Sequence, residues 1–161
     1  MTDILTVKDV SFSFGDKAVL NNVSLEVQKG EIVSILGPSG VGKSTLFNLI
    51  AGILPLQKGA IEVDNAPISF GKVSYMLQKD LLLEHKTVLG NIILPLLIQK
   101  VDKAEAIARA DEILATFQLT AVRDKYPHEL SGGMRQRVAL LRTYLFGHKL
   151  FLLDEAFSAL D

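Results

Sequence analysis

An α/β fold is predicted by three observations on this chain of 161 residues. Glu31-Ile32-Val33-Ser34-Ile35-Leu36 is a nearly continuous β-branched apolar run, the composition of a strand covered on both faces, and it leads into a glycine-rich turn and a helix-forming segment. The stretch before it alternates apolar and polar positions, the two-residue period of a strand with one buried face. Residues 87–117 and 131–147 carry helical spacing and stand between two α/β stretches.

In order along the chain, residues 4–14 read as a strand, with Leu5, Val7, Val10, Phe12 and Phe14 in rough alternation, and Gly15-Asp16 as its turn. Val19–Val27 is a second strand with Val23, Leu25 and Val27 on one face, closing at Lys29-Gly30, so the two should form an antiparallel ribbon. After the apolar run, Gly37–Gly42 makes a loop, and a helix should run from Lys43 to Ala51-Gly52, where glycine suits the cap. Ile61–Val63 and Val73–Leu77 are short strands. Asp102 with Glu105 resembles a capping box, and Ile107, Ala110, Leu114 and Phe117 then share one helix face. Ser131 opens a further helix through Val138, Leu141 and Leu145 to Gly147, and Leu150–Leu153 is a buried strand.

The length suits about one domain with a real core. Hydrophobic residues make up 48% of it, and a mean hydropathy of +0.30 fits buried strands or docking on a partner. A net charge of -1 gives no basic excess, so nucleic acid is not expected as a partner. Cysteine is absent, which excludes disulfides and thiolate metal sites. No apolar run approaches the roughly 18 residues of a membrane span. The longest, Ile92–Ile98, is broken by Pro95, and Met1-Thr2-Asp3 does not open a secretory signal. Membrane association is therefore expected only through a partner protein.

Gly37-Pro38-Ser39-Gly40-Val41-Gly42-Lys43-Ser44-Thr45 fits G-x-x-x-x-G-K-[ST] between a predicted strand and a predicted helix. A triphosphate carries about four negative charges, which inward backbone N–H groups and a helix N-terminus can hold. Gly37, Gly40 and Gly42 supply backbone conformations that a Cβ would block, Lys43 can reach the β- and γ-phosphates, and Ser44 offers a hydroxyl to Mg2+. ATP with Mg2+ is the expected ligand; an ordinary glycine-rich turn is the alternative. Downstream, Leu150-Phe151-Leu152-Leu153 ends in Asp154-Glu155. Ligands of open α/β sheets bind at the C-terminal ends of strands, so Asp154 is placed to hold Mg2+ and Glu155 to act as base toward the attacking water. Capping of the strand end is the plainer reading of both acids.

Leu130-Ser131-Gly132-Gly133-Met134-Arg135-Gln136-Arg137, ahead of that strand, resembles the signature of ABC transporter ATPases. With the phosphate loop upstream, the resemblance covers essentially all residues present. It implies a P-loop nucleotide-binding core, an N-terminal antiparallel β-subdomain and an inserted α-helical signature subdomain. Residues 1–84 and 149–161 would be the core and about 85–148 the helical part of one ATPase domain spanning 1–161. Phe14 sits where the family carries an aromatic that stacks on adenine, though it also reads as a core or edge aromatic. Gln78 matches the glutamine loop, which contributes to metal binding and catalysis, and Ser158–Asp161 matches the turn after the acidic strand.

The resemblance also implies a head-to-tail dimer with a second ATP-binding domain, in which Ser131, Gly132 and Gly133 of one chain meet the γ-phosphate held by the other. Otherwise Ser131 is a helix cap. Further implied partners are integral membrane permease subunits, docking on Leu81–Leu83 and the helical region after Thr87, and a substrate-binding protein. That places the chain on the cytoplasmic face of the membrane, hydrolysing ATP to drive transport. Tyr75–Leu83 is similar to the segment of importers of nitrate, sulfonate, taurine or thiamine-precursor type.

His85, His128 and His148 lack metal-ligand spacing, and Lys100, Lys103 and Arg109 read as a solvated face. Two departures stand out: Ala156 replaces a usual proline, and the chain ends at Asp161. By resemblance, a histidine that senses the γ-phosphate follows, with a strand lying between the phosphate-loop strand and the acidic strand. Without it two buried strand edges would lack partners, at about 1–3 kcal/mol per lost bond. A non-hydrolysing or nonfunctional fragment is thus the alternative function. A soluble ATPase acting on DNA or ribosomes is a third; DNA-acting relatives separate the two motifs by a long heptad stretch that is absent here, and ribosome-acting ones carry two such domains.

Overall fold

The computed structural model describes residues 3–154. They form two compact units, one running through Ser74 and including His148–Leu152, the other comprising Tyr75–Gly147 and the residues from Leu153.

In the first unit, β1 (Asp3–Phe14) and β2 (Lys17–Gln28) form the expected antiparallel ribbon, paired from Asp3↔Gln28 to Phe14↔Lys17. β3 (Lys58–Val63) joins the other edge of β1, and β4 (Ala66–Pro67) completes the order β2-β1-β3-β4. Leu5, Val7, Val10 and Phe12 of β1 are buried together with Ile61 and Val63 of β3. The register slips between Val7 and Val10, where Asp9 takes φ 52. Polar side chains hold this bulge: the Asp9 N–H donates to Ser24 Oγ at 2.9 Å, and Asn22 Nδ2 donates to Asp9 Oδ1 at 3.3 Å. Helix α1 (Lys43–Ile50) buries Leu46, Leu49 and Ile50 and ends at Ala51, with Gly52 at φ 68, as the sequence predicts.

The strand expected over 31–36 does not form. Among the described residues this run joins neither sheet, and Ile32 and Leu36 are 94% and 91% exposed. The reason lies in the nature of strands: apolar composition favours burial, but a strand needs a hydrogen-bonding neighbour along its edge, and that neighbour is set by topology rather than by the run itself.

β5 (Ser74–Met76) and β6 (Phe151–Leu153) make a two-stranded sheet. The Ser74 N–H donates to Leu150 O and the Asp154 N–H to Met76 O, each at 3.0 Å. The strand expected to be buried at Leu150–Leu153 is so on one face: Leu150 and Leu152 are buried, while Phe151 is exposed.

In the second unit the helical stretch breaks into α2 (Val88–Ile92), α3 (Leu94–Ile98) and α4 (Lys103–Thr116), followed by two 3₁₀ turns and α5 (Gly132–Tyr144). Thr87 caps α2, its Oγ1 accepting from the Gly90 N–H at 3.1 Å. Asp102 caps α4, accepting from Ala104 and Glu105 N–H at 2.8 and 3.3 Å. The capping box is only half realised, because the Glu105 carboxylate pairs with Arg109 one turn on. Ala110 and Leu114 are buried as expected, but Phe117 is exposed: α4 ends at Thr116, so Phe117 has already left the helix face. Val88, Ile92, Leu96, Ala106, Leu114 and Val138 belong to one apolar cluster. Among the described residues, no helix is long and apolar enough to cross a membrane.

Asn91 is a polar residue fully buried in this unit, at 0% exposure. Its Nδ2 donates to the carbonyls of Leu83, Lys86 and Thr87 at 3.0–3.1 Å, and its Oδ1 accepts from the Leu83 N–H at 2.8 Å. Alanine there leaves several buried backbone groups without partners. Asn91→Ala is expected to lower unfolding free energy by about 2–4 kcal/mol, read as a lower urea midpoint at unchanged m-value.

Candidate functional site: the phosphate loop, the acidic strand end and the signature turn

The loop before α1 is built by close approach. Gly42 has φ 107 and ψ 8, and a Cβ there would lie 2.9 Å from Leu20 Cδ2 and 3.0 Å from Val19 Cγ1 of β2. Conformation and contact together demand glycine at that point. Gly40 takes φ 79 with open space around it, whereas Gly37 is not in the left-handed region; its limit is the Val41 side chain, 3.0 Å from where a Cβ would stand. The Val41 N–H closes a turn on Pro38 O at 3.4 Å.

Helix α1 has no side-chain cap and no acid in its first turn. The positive end of its dipole is therefore left for an incoming anion. Gly37–Val41 and Ser44 are exposed, while Lys43 and Thr45 are half-buried. Lys43 folds back over the loop, its Nζ donating to Gly37 O at 2.7 Å and Pro38 O at 2.9 Å. Phe14, in the same unit, ends β1 half exposed, with its ring edge-on to Phe12 at 4.9 Å and 80°.

The second unit carries the other candidates. Gln78 is exposed, two residues beyond β5. Asp154 follows β6 and is 7% exposed; its Oδ2 accepts from the Tyr75 hydroxyl at 3.4 Å. Burial first, and the Asp154 charge second, push the Tyr75 hydroxyl well above its ordinary value, so it stays a donor to that carboxylate. Ser131 caps α5, its Oγ accepting from the Met134 N–H at 3.3 Å. Capping uses the oxygen and leaves the hydroxyl proton able to donate, so the cap and an anion-binding role coexist. Ser131 and Gly132 are exposed. Glu155, Ala156 and Ser158–Asp161 lie outside the described residues.

The histidines serve other ends. His148 Nδ1 lies 3.3 Å from Ser74 Oγ, and His128 stacks on Tyr126 at 5.9 Å. Among the described residues, no group of three or more His, Cys, Asp and Glu could hold a metal. Two contacts escape a reading of the sequence: the Tyr75 hydroxyl on Asp154, and Arg135 on Asp80. A phenol in an otherwise short apolar strand, and arginines spaced by two helical turns, are the signals that point to them.

These features define a nucleotide-binding α/β protein, and the comparisons place it. The family described as ABC transporter matches residues 20–158, and the chain belongs to that family. The spermidine/putrescine import ATP-binding protein PotA of Chromobacterium violaceum is 42% identical over 98% of this chain and 45% of its own length. The formylaminopyrimidine import ATP-binding protein ThiZ of Halalkalibacterium halodurans is 46% identical over 99% of this chain and 63% of its own. The chain thus spans about half the length of these relatives. The structure of cbiO1 from Clostridium perfringens, described as part of the ABC transporter complex cbiONQ, matches with a TM-score of 0.88 and 29% identity. That match covers 100% of this chain and 68% of cbiO1, which confirms the α/β fold class.

The two glycines should respond differently to a methyl group. Gly42→Ala meets both a strained φ and the β2 backbone, and is expected to cost about 2–4 kcal/mol. Gly40→Ala meets only the φ penalty, about 1–2 kcal/mol. Chemical denaturation of both variants without ligand checks the order.

Proposed function

We propose that this chain is the ATP-binding and ATP-hydrolysing portion of an ABC import system. The observation that carries the reading is the Gly37–Ser44 loop: an uncapped helix start, backbone turned by Gly40 and Gly42, and a lysine lying across the loop. The names of both relatives, each an import ATP-binding protein, support it.

The chemistry follows from the residues. The amides at the start of α1 take the phosphate oxygens, and Lys43 exchanges the carbonyls of Gly37 and Pro38 for charged β- and γ-oxygens. Ser44, Gln78 and Asp154 offer only hydroxyl, amide and carboxylate oxygen, the donor set that suits Mg2+, and are the proposed metal ligands. When bound, Mg2+ neutralises charge on the transferring phosphoryl group. Tyr75 orients the Asp154 carboxylate. Glu155 is proposed to position the attacking water, and Phe14 to stack on the adenine. Ser131, Gly132 and Gly133 would meet the γ-phosphate of a second ATP-binding domain, head to tail.

Membrane attachment is proposed through permease subunits on the cytoplasmic face. Of the expected docking segment, Leu81 is half exposed whereas Leu82 is buried, so Leu81 is its presented side chain. A substrate-binding protein would deliver the cargo. Relatives named for polyamine and for pyrimidine import match at 42% and 46% identity, so the transported compound is assigned to other subunits and the importer subtype is left open.

One observation favours a second reading, a nucleotide-binding module without turnover: the apolar run before the loop is exposed at Ile32 and Leu36. A thermal melt with and without Mg-ATP separates the two from a chain that binds nothing. At 100 times its dissociation constant a ligand adds about 2.7 kcal/mol, which raises the midpoint by roughly 5–10 °C. Lys43→Ala is expected to abolish that shift; an undiminished shift refutes the phosphate-loop assignment. Glu155→Gln is expected to keep the shift and lose steady-state phosphate release by about 100-fold or more. Normal release in that variant removes Glu155 from its role, and a wild type that shifts without releasing phosphate establishes the second reading.

A further inference from the structure

We propose that Arg135 and Arg142 are positioning residues that fasten the Asp80–Glu84 segment to the helix opened by Ser131, so that the segment after Gln78 and the signature turn shift as one piece. Its meaning for ATP turnover rests on the function proposed above; the fastening itself rests on the geometry.

Arg135 and Arg142 are seven positions apart, close to two turns of α5, and so share one edge of that helix. Val138 and Leu141, between them, are buried and anchor the helix in the apolar cluster. Arg135 grips the Asp80 carboxylate with both arms of its fork, Nε to Oδ2 and Nη2 to Oδ1, each at 3.0 Å. The same Nη2 donates to Glu84 Oε1 at 2.7 Å. Arg142 binds backbone instead, Nη1 to Leu81 O at 2.8 Å and Nη2 to Asp80 O at 2.7 Å. Two side chains of one helix thus hold carboxylates and carbonyls across the whole segment, and a two-armed contact fixes orientation as well as distance.

The segment has no regular structure, yet its polar groups are committed. Asp80 Oδ1 also accepts from the Leu82 N–H at 2.9 Å, and Asn91 binds Leu83 on both its N–H and its carbonyl. Leu81 takes φ 47, a conformation that favours glycine, and it does so with its carbonyl held by Arg142 and its side chain 54% exposed. A strained residue kept in place by surrounding bonds is a mark of a position the fold over-determines. Burial alone would raise the Asp80 carboxyl; the Arg135 fork and the Leu82 N–H outweigh it and hold the group below its usual range. Asp80 and Glu84 push the Arg135 guanidinium up, whereas burial draws Arg142 down.

Because Arg135 lies four residues after Ser131, a pull on Asp80 acts on the first turn of α5. The two regions share a rigid contact and need no relay between them.

Backbone hydrogen exchange on the full-length protein tests this, with Asp80→Asn, Arg135→Gln and the double variant. Asparagine can keep its Oδ1 on the Leu82 N–H, while in place of Oδ2 it sets an NH2 that cannot accept from Arg135 Nε. Each single change is expected to speed exchange about tenfold at Leu82 and Leu83 and also at Met134 and Arg135. The double variant should be no faster than either single one, because both cut the same link. In ATP turnover, both singles should lower kcat several-fold with KM for ATP unchanged, and the double should match them. Faster exchange in the 80–84 segment alone, or additive effects, overturns the proposal. Should Arg135→Gln fail to melt cooperatively, Glu84→Gln removes the exposed arm of the same fork and is read the same way. A wild-type protein that does not bind ATP defeats the nucleotide reading but leaves the exchange result decisive for the fastening.

Discussion

The approach of the Gly42 backbone to β2 is the constraint from which the phosphate loop follows. With Val19 and Leu20 against its Cα, the chain turns at φ 107 and enters α1 at Lys43, without a side chain available to cap the helix. An ordinary helix start satisfies its N–H groups with Ser, Thr, Asp or Asn. Here the cap residue is a glycine, and the orphan donors are left for a ligand. The absence of a capping side chain, which weakens α1 as a helix, is what suits its start to the anion proposed for it. Burial of Leu46, Leu49 and Ile50 provides the compensating anchorage.

The second unit solves the opposite problem. Its irregular 80–87 segment must keep a fixed shape without a sheet or helix ladder, so long side chains from neighbouring helices supply the bonds. Asn91 reaches from α2 and two arginines reach from α5. Each is partly or fully withdrawn from water, where such bonds are worth more and where losing one is costly. Ser131 at the head of α5 caps its own helix, so that end is ordered before any partner arrives. One unit leaves a helix start uncapped; the other caps its helix with Ser131 and presents that serine and Gly132 at the surface.

What was legible in the sequence was what depends on near neighbours. The alternation of Leu5 with Val7, and of Val10 with Phe12 beyond the bulge, matches the burial of β1, and G-x-x-x-x-G-K-S matches the loop and α1. Ser131 and Gly147 bracket α5. What failed depends on distant partners. Residues 31–36 have the composition of a core strand, but composition does not supply the edge that must pair with them. Phe117 fits the helical spacing, yet α4 stops one residue short of it. Asp80 and Arg135 are 55 positions apart, and nothing local in the sequence pairs them. Tyr75 reads as a strand aromatic until the fold brings Asp154 to its hydroxyl. Local chemistry therefore predicted the turn and helix at 37–50 better than it predicted the contacts that hold Asp154 and the first turn of α5.

Lys43 ties the loop to itself from within. Its ammonium group binds the consecutive carbonyls of Gly37 and Pro38, at 2.7 and 2.9 Å. The loop is then shaped by the same cation that a phosphate would draw away. Binding replaces two bonds to neutral oxygens by bonds to charged ones, which are roughly twice as strong. Only the difference contributes to affinity, because the lysine was never free. The gain from Lys43 is consequently smaller than a count of its phosphate contacts suggests. In the proposed site the larger part would come from the first amides of α1, which no side chain caps.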